Sequence, residues 1–388
     1  MENKASIFKS VIFTLIGMVF FCMNNLIHAQ INDEDIIIGK HIKLYSDILN
    51  EERSLFVHLP TGYEESQGKY PVLYVLDGGY IPRFFKVTGT IESLSYENIP
   101  KMIIVGIKNT DRERDMFPMK TENDPTSGGA DNFLKFFSQE LIPFVDKNFR
   151  TENFRILTGT SNSAFFTVYV LLENPNLFSG YIASSPTLLG WFENLMYKKF
   201  DELKKKNESL NKMLYLIYGE NDFTSIIKAI PGFTKTIEEN APKDFIWEVK
   251  LIKDEGHVPY NSVYEGLQFV FSGWKYPREK LKEATFLEVK AYYSQLSEKY
   301  GYDVEIPVMV LGDLGNDMLR KNKVNEALKV LKHNVKLYPD EARAHFSLGL
   351  AYEKKGEITL AVKHIKKATE IDPSWARVKR KLIELNKK

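Results

Sequence analysis

The stretch that most restricts what this chain can become is residues 154–166, FRILTGTSNSAFF. An apolar strand runs into Gly159-Thr160-Ser161-Asn162-Ser163-Ala164, and an apolar, helix-compatible segment follows with no spacer. A serine on so abrupt a strand-to-helix turn has its hydroxyl held clear of the backbone, the layout of a nucleophile elbow. The turn crowds the positions two residues to either side, so both must be small. Gly159 meets that demand fully, and Ser163 meets it in part, because the usual string is Gly-x-Ser-x-Gly.

The surrounding pattern supplies a sheet for such an elbow. Residues 36–60 alternate as a strand pair, with Ile42, Leu44 and Ile48 on the first strand and Leu55, Val57 and Leu59 on the second. Residues 70–76 (YPVLYVL) and 102–107 (MIIVGI) are continuous apolar runs, the mark of strands buried on both faces. The first of them ends in Asp77-Gly78-Gly79, a turn signal. Further strands are expected at 155–158, 178–183, 213–218 and 245–252, with helices between them, such as 131–149. Alternating buried strands and helices predict an α/β fold with a mostly parallel sheet covered on both sides, the opening antiparallel pair forming an edge.

A serine hydroxyl is a weak nucleophile until a base takes its proton, so Ser161 needs a histidine. Of the seven histidines, His28 lies in the leader described below, and His333, His345 and His364 lie in a repeated C-terminal region. His41 and His58 fall in or beside the opening edge strands, where packing or surface roles are ordinary. His257 remains, in the polar loop Lys253-Asp254-Glu255-Gly256-His257 that follows the last expected strand. Strand ends are where open α/β sheets place catalytic loops, and the order nucleophile, acid, base along the chain fits a hydrolase. The acid that orients the imidazole is expected in Gly219-Glu220-Asn221-Asp222, as Asp222 or alternatively Glu220. Oxyanion donors are expected from the backbone N–H of Asn162 and from that of Gly79 or Tyr80. Arg114, Phe117, Tyr80 and Trp191 lie on loops that could flank such a site and shape substrate choice.

The N-terminus reads as an export leader. Lys4 and Lys9 precede an apolar run at 11–23, and Ile27-His28-Ala29 closes a short polar segment, with cleavage expected after Ala29. The run is shorter than the ~20 residues a spanning helix needs, so the mature chain is expected in the periplasm or outside the cell, with no transmembrane segment. Removing Lys4, Lys9 and Glu2 from 52 basic and 51 acidic side chains leaves 50 of each. That balance argues against nucleic acid or an anionic membrane as partner. Lysines 204–206 and the basic tail at 379–388 then read as solvated faces. The sole cysteine, Cys22, leaves with the leader, which excludes disulfides and thiolate chemistry. No metal-binding or phosphate-binding motif is present, and no cofactor is expected.

After Trp274 the character changes. Residues 280–300 read as one amphipathic helix, with Phe286, Val289, Tyr293 and Leu296 on a face. Beyond Pro307 the sequence repeats with a period of 34: Leu314-Gly315, Ala327, Leu331 and Pro339 recur as Leu348-Gly349, Ala361, Ile365 and Pro373. This resembles tetratricopeptide repeats. Two repeats rarely bury a continuous core alone, so they are expected to stack on the 280–300 helix. The expected organisation is a leader (1–29), an esterase-type domain (30–275), a connecting helix (276–306), then repeats at 308–341 and 342–375 with a C-terminal helix.

VHLPTGY, YPVLYVLDGG, the stretch from Arg114-Asp115-Met116 to SGGADNFLKFFSQELIPFVDKNF, RILTGTSNSA, YIASSP and GHVPYNSVYEGLQFVFSGW follow one another in an order that resembles the esterase D-like "putative esterase" family, which includes siderophore and feruloyl or acetylxylan esterases. The resemblance covers roughly residues 36–275 and implies an α/β-hydrolase fold, nucleophile Ser161, base His257 and an acid in the 219–222 loop, most simply Asp222. The departure is Ser163-Ala164, where the family usually has Gly-Gly. The expected activity is hydrolysis of a small-molecule or glycan carboxylic ester through an acyl-enzyme. The alternative is an inactive hydrolase-fold scaffold that binds a protein partner through its repeats.

Overall fold

Eight strands make one sheet in the computed structural model, which describes residues 36–95, 98–120, 124–188, 191–206 and 209–387. The expected leader, 1–29, lies outside the described residues. From Gly39 onward the chain forms one compact unit. The strands are β1 Lys40–Ser46, β2 Glu51–His58, β3 Tyr70–Val75, β4 Ile103–Ile107, β5 Thr151–Thr160, β6 Gly180–Ser184, β7 Met213–Gly219 and β8 Ile246–Ile252. They hydrogen-bond in the order β1-β2-β4-β3-β5-β6-β7-β8. β1 pairs antiparallel with β2, and β2 with β4; every other pairing is parallel. This is the expected α/β-hydrolase architecture. Ile48 falls in the turn between β1 and β2 rather than in a strand.

Every residue of β3, β4 and β6 is buried, which explains why these strands read as unbroken apolar runs: helices cover both faces. The edge strand β8 is only half covered and alternates accordingly. The helices of this domain are α1 Ile81–Leu94, α2 Arg112–Met116, α3 Ala130–Phe136, α4 Ile142–Asn148, α5 Asn162–Glu173, α6 Trp191–Lys206, α7 Thr224–Asn240 and α8 Ser262–Val270. Helix α5 is buried from Ser163 to Leu172, and its Phe166 meets Phe133 and Phe137 with ring centroids 5.1 and 6.2 Å away.

Two expected helices are each broken. The stretch 131–149 is α3 and α4 joined by one wide π-turn, Phe137–Leu141, in which Ile142 N–H reaches back to Phe137 O. Pro143 lacks an N–H and its ring crowds the preceding turn, and a widened turn accommodates both demands. The stretch 280–300 is a short helix, α9 (Arg278–Leu281), then α10 (Phe286–Tyr300). The restart is a capping box: Thr285 Oγ1 accepts from Glu288 N–H at 3.2 Å, and Glu288 accepts from Thr285 N–H at 2.7 Å.

Helix α10 belongs to the body it follows. Tyr300 packs against Phe154, Phe271 and Trp274 at 5.3, 5.4 and 5.9 Å, contacts that contribute about 0.5–1.5 kcal/mol each beyond area burial. The repeats follow as α11 Val308–Arg320, α12 Val324–Leu337, α13 Ala342–Lys355 and α14 Ile358–Ile371, with α15 Ala376–Leu385 last. A Cβ at Gly315 would sit 2.5 Å from Leu331, and one at Gly349 2.6 Å from Ile365, so both repeats need glycine where their paired helices touch. The first repeat has Asn334 where the second has Ala368, and the Asn334 amide donates to Val308 O at 3.1 Å. His333 packs on Phe286 of α10 at 5.2 Å, and Tyr338 donates to Ile306 O at 2.9 Å. The repeats therefore continue from α10, as expected for a pair too short to stand alone. Among the described residues, no helix is long and apolar enough to cross a membrane.

Candidate active site

Because β3 and β5 to β8 run parallel, their C-terminal ends share one edge of the sheet, and the loops leaving that edge carry the candidate residues. Ser161 stands between β5 and α5 with φ 57° and ψ −123°, backbone angles a non-glycine residue rarely adopts. Its N–H donates to Ser184 O, at the end of β6, at 2.9 Å. Gly159 is required for the turn to close: a Cβ there would lie 2.2 Å from Ser163 O and 2.4 Å from Ser163 C. Both are backbone atoms that cannot swing away. We expect Gly159→Ala to destabilise the fold by about 1–3 kcal/mol, seen as a lowered melting temperature in a thermal unfolding scan. An unchanged melting temperature would contradict this account of the turn.

His257 lies in the loop after β8, and its Nδ1 is 2.7 Å from Asp222 Oδ1. The Asp222 side chain is fully buried while that of His257 is 27% exposed, so one end of the imidazole is anchored and the other faces outward. Asp222 also accepts from Phe223 N–H at 2.8 Å and from the Ser185 hydroxyl at 2.5 Å. Glu220, the alternative acid, instead accepts from Asp254 N–H at 3.1 Å. The two loops are zipped together: Glu220 N–H donates to Ile252 O at 2.8 Å and Asn221 N–H to Glu255 O at 2.9 Å. A carboxylate facing Nδ1 makes that nitrogen the donor, which leaves Nε2 with its lone pair free to take a proton.

Ser185 is the residue sequence reasoning missed. It is fully buried with φ 50°, its N–H donates to Ile217 O on β7 at 2.7 Å, and its hydroxyl accepts from Val258 N–H at 2.9 Å. It thus ties the end of β6 to both the Asp222 and the His257 loops. The only signal was Ser-Ser-Pro at a strand end, which by itself reads as a turn.

The remaining candidates divide. Asn162 opens α5, where backbone N–H groups have no acceptor within the helix. Tyr80 N–H turns back to Asp77 O at 3.3 Å, which leaves Gly79 as the donor candidate of that turn. Arg114 is committed to ion pairs: its guanidinium holds Glu51 at 2.7 and 3.0 Å and Asp115 at 2.8 Å. Phe117 is core, buried beside Phe165 at 5.7 Å. Trp191 begins α6, and its side chain lies outside the described residues. His41 stacks on Phe56 at 4.9 Å and His58 pairs with Glu92 at 2.9 Å, the packing roles expected of them.

Phe223 leans on His257 with ring centroids 4.5 Å apart and is itself 60% exposed. Tyr80 and Tyr260 are exposed nearby in sequence to the Gly79 turn and the His257 loop. Asp77 is held by Arg83 at 3.1 Å, by Arg112 at 2.9 and 3.1 Å and by Asn109 at 2.6 Å. Burial alone would raise its carboxyl; Arg112, with help from Asn109 and Ser163, outweighs that and holds it at about 2. Among the described residues, no three or more His, Cys, Asp or Glu side chains are grouped to hold a metal ion.

The chain is 32% identical over 149 residues to the uncharacterized protein YjcH of Bacillus subtilis, a stretch covering 37% of this chain and 60% of YjcH, less than two thirds of that relative's length. It is 28% identical over 205 residues to the ferri-bacillibactin esterase BesA of the same organism, covering 46% of this chain and 70% of BesA. An IroE-like serine hydrolase from Shewanella oneidensis superposes with a TM-score of 0.66 at 25% identity, covering 77% of this chain and 99% of that one. Residues 315–356 and 342–374 match tetratricopeptide repeats. Residues 46–241 match the family described as "Putative esterase", just over half of the chain, and the chain belongs to that esterase family.

Proposed function

We propose that the chain is an exported serine esterase that hydrolyses a siderophore ester by acyl transfer, with Ser161 as nucleophile, His257 as base and Asp222 as the orienting acid. The observation that carries the reading is the 2.7 Å hydrogen bond from His257 to a fully buried Asp222, on the sheet edge where the strained Ser161 turn also emerges. Ser161 Oγ attacks the ester carbonyl carbon while His257 Nε2 takes its proton. The oxyanion is held by Asn162 and Gly79 N–H. The alkoxide leaves with the proton from Nε2, and the acyl group remains on Ser161. Water then gives a proton to Nε2 and attacks the acyl carbon; the acid departs and Ser161 recovers its proton.

Two features support the substrate class. BesA is described as a ferri-bacillibactin esterase. Phe223, exposed against His257, offers a flat apolar face to an aryl acyl group. The charged N-terminal residues, apolar run and Ala29 support export. The test is labelling of the purified protein with a fluorophosphonate, peptide mass spectrometry, and a panel of siderophore and simple aryl esters. We expect the label on Ser161, its loss in His257→Ala, and turnover favouring the siderophore ester. Folded protein that takes no label would favour a scaffold acting through the repeats instead.

A further inference from the structure

The second small position of the elbow holds Ser163, and its hydroxyl does not crowd the turn. It is fully buried and lies in a polar slot, accepting from Thr160 N–H at 2.7 Å. It is 2.8 Å from both Thr160 O and Asp77 Oδ2. A hydroxyl has one proton to give. Thr160 O already accepts from Arg112 at 3.1 Å, and an ionised carboxylate is the stronger acceptor, so the Ser163 proton goes to Asp77.

We propose that Ser163 and Asp77 form a buried brace that positions Ser161, locking the nucleophile turn to the loop that carries the second oxyanion donor. The proposal rests on the reading of Ser161 as nucleophile. Three structural facts carry it. Ser161 sits in a strained conformation, which persists only where its surroundings over-determine it. Thr160, immediately before it, has its N–H held by Ser163 and its carbonyl by Arg112. Asp77 immediately precedes the Gly78-Gly79 turn, itself has φ 56°, and is clamped by Arg83, Arg112 and Asn109. The brace therefore joins the ends of β3 and β5 and the start of α5, and sets the spacing between Gly79 N–H and Asn162 N–H. Oxyanion donors act only when pre-placed for the transition state, so loosening them lowers turnover more than it weakens binding.

The experiment compares full-length Ser163→Ala, Ser163→Gly, Asp77→Asn and the Ser163→Ala/Asp77→Asn double variant with the unaltered protein and a Ser161→Ala control. It measures fluorophosphonate labelling rate, kcat and KM on p-nitrophenyl acetate, and the melting temperature. We expect labelling rate and kcat to fall about 10- to 100-fold in Ser163→Ala, the scale of a displacement near 1 Å, with KM within about two-fold of unaltered protein. Ser163→Gly, which suits the turn sterically, is expected to lose a similar factor because it also lacks the hydroxyl. The double variant should be no slower than the worse single one, since both break one link. Labelling of both Ser163 variants at the unaltered rate would overturn the brace while leaving Ser161 as nucleophile. So would losses that multiply in the double variant, or losses that only track the unfolded fraction. Absence of label on folded, unaltered protein would overturn both readings together.

Discussion

Ser161→Ala is expected to reduce ester turnover by about four to six orders of magnitude, with the fold intact. The magnitude follows from how a serine, histidine and acid act as one unit: removing the nucleophile costs about as much as removing all three. Residual activity would come from the oxyanion donors and from substrate positioning. The fold is expected to survive because the Ser161 side chain caps nothing in α5; its structural roles belong to its backbone, whose N–H donates to Ser184 O and whose carbonyl accepts from Ala164 and Phe165 N–H, all untouched by the substitution. Alanine must still adopt φ 57°, so a modest loss of stability is expected alongside the loss of activity. The check is kcat on an aryl ester together with a thermal unfolding scan. Hydrolysis within ten-fold of the unaltered protein would end the assignment of Ser161.

Much of this site was legible because the features that carry it are local. A strand that runs to Thr160 and a helix that starts at Asn162 leave Ser161 only one kind of place to stand. His257 emerged by elimination, since His28 fell in the expected leader and the other histidines in segments where packing accounts for them. What was not legible depended on residues far apart in sequence. Arg114 in a loop reads as a ligand-facing cation until the fold brings Glu51, 63 positions earlier, to its guanidinium. Phe117 reads as a loop aromatic until α5 places Phe165 beside it. Ser185 and Asp77 are the same lesson reversed: turn residues by sequence, they become hubs because neighbouring parallel strands deliver Asp222, Arg112 and Ser163 to them.

The broken helices are a different matter, and both breaks were written locally. Pro143 inside the 131–149 pattern and Thr285-x-x-Glu288 inside 280–300 are recognised signals for a disturbed turn and a helix start. Apolar periodicity ran across both and masked them. The consequence for function is confined to α10: its Tyr300 closes over Phe154 at the opposite end of β5 from Ser161, so the repeats begin from a helix anchored away from the nucleophile.

Asp222→Asn should lower kcat by about 10⁴-fold, the cost of holding the imidazole in the wrong tautomer. The geometry here makes the reason specific. Asp222 Oδ1 meets His257 Nδ1 and Phe223 N–H, while Oδ2 takes the Ser185 hydroxyl. An asparagine must turn its NH2 toward one side. Facing His257, the amide would present a donor to Nδ1, so the ring proton moves to Nε2 and the lone pair that should accept the Ser161 proton is lost. Facing Ser185, the amide would keep the favoured tautomer, but Ser185 would then have to accept from it while already accepting from Val258 N–H, giving up its own donation to Asp222. Even in that arrangement the imidazolium formed during attack loses its buried counter-charge. Glu220, the other carboxylate of the loop, is turned toward Asp254 N–H, from which it accepts at 3.1 Å. The measurement is the pH dependence of kcat for the variant beside Glu220→Gln, which should retain activity within about two-fold. A Glu220→Gln loss as large as that of Asp222→Asn would move the orienting role to the other carboxylate of the loop.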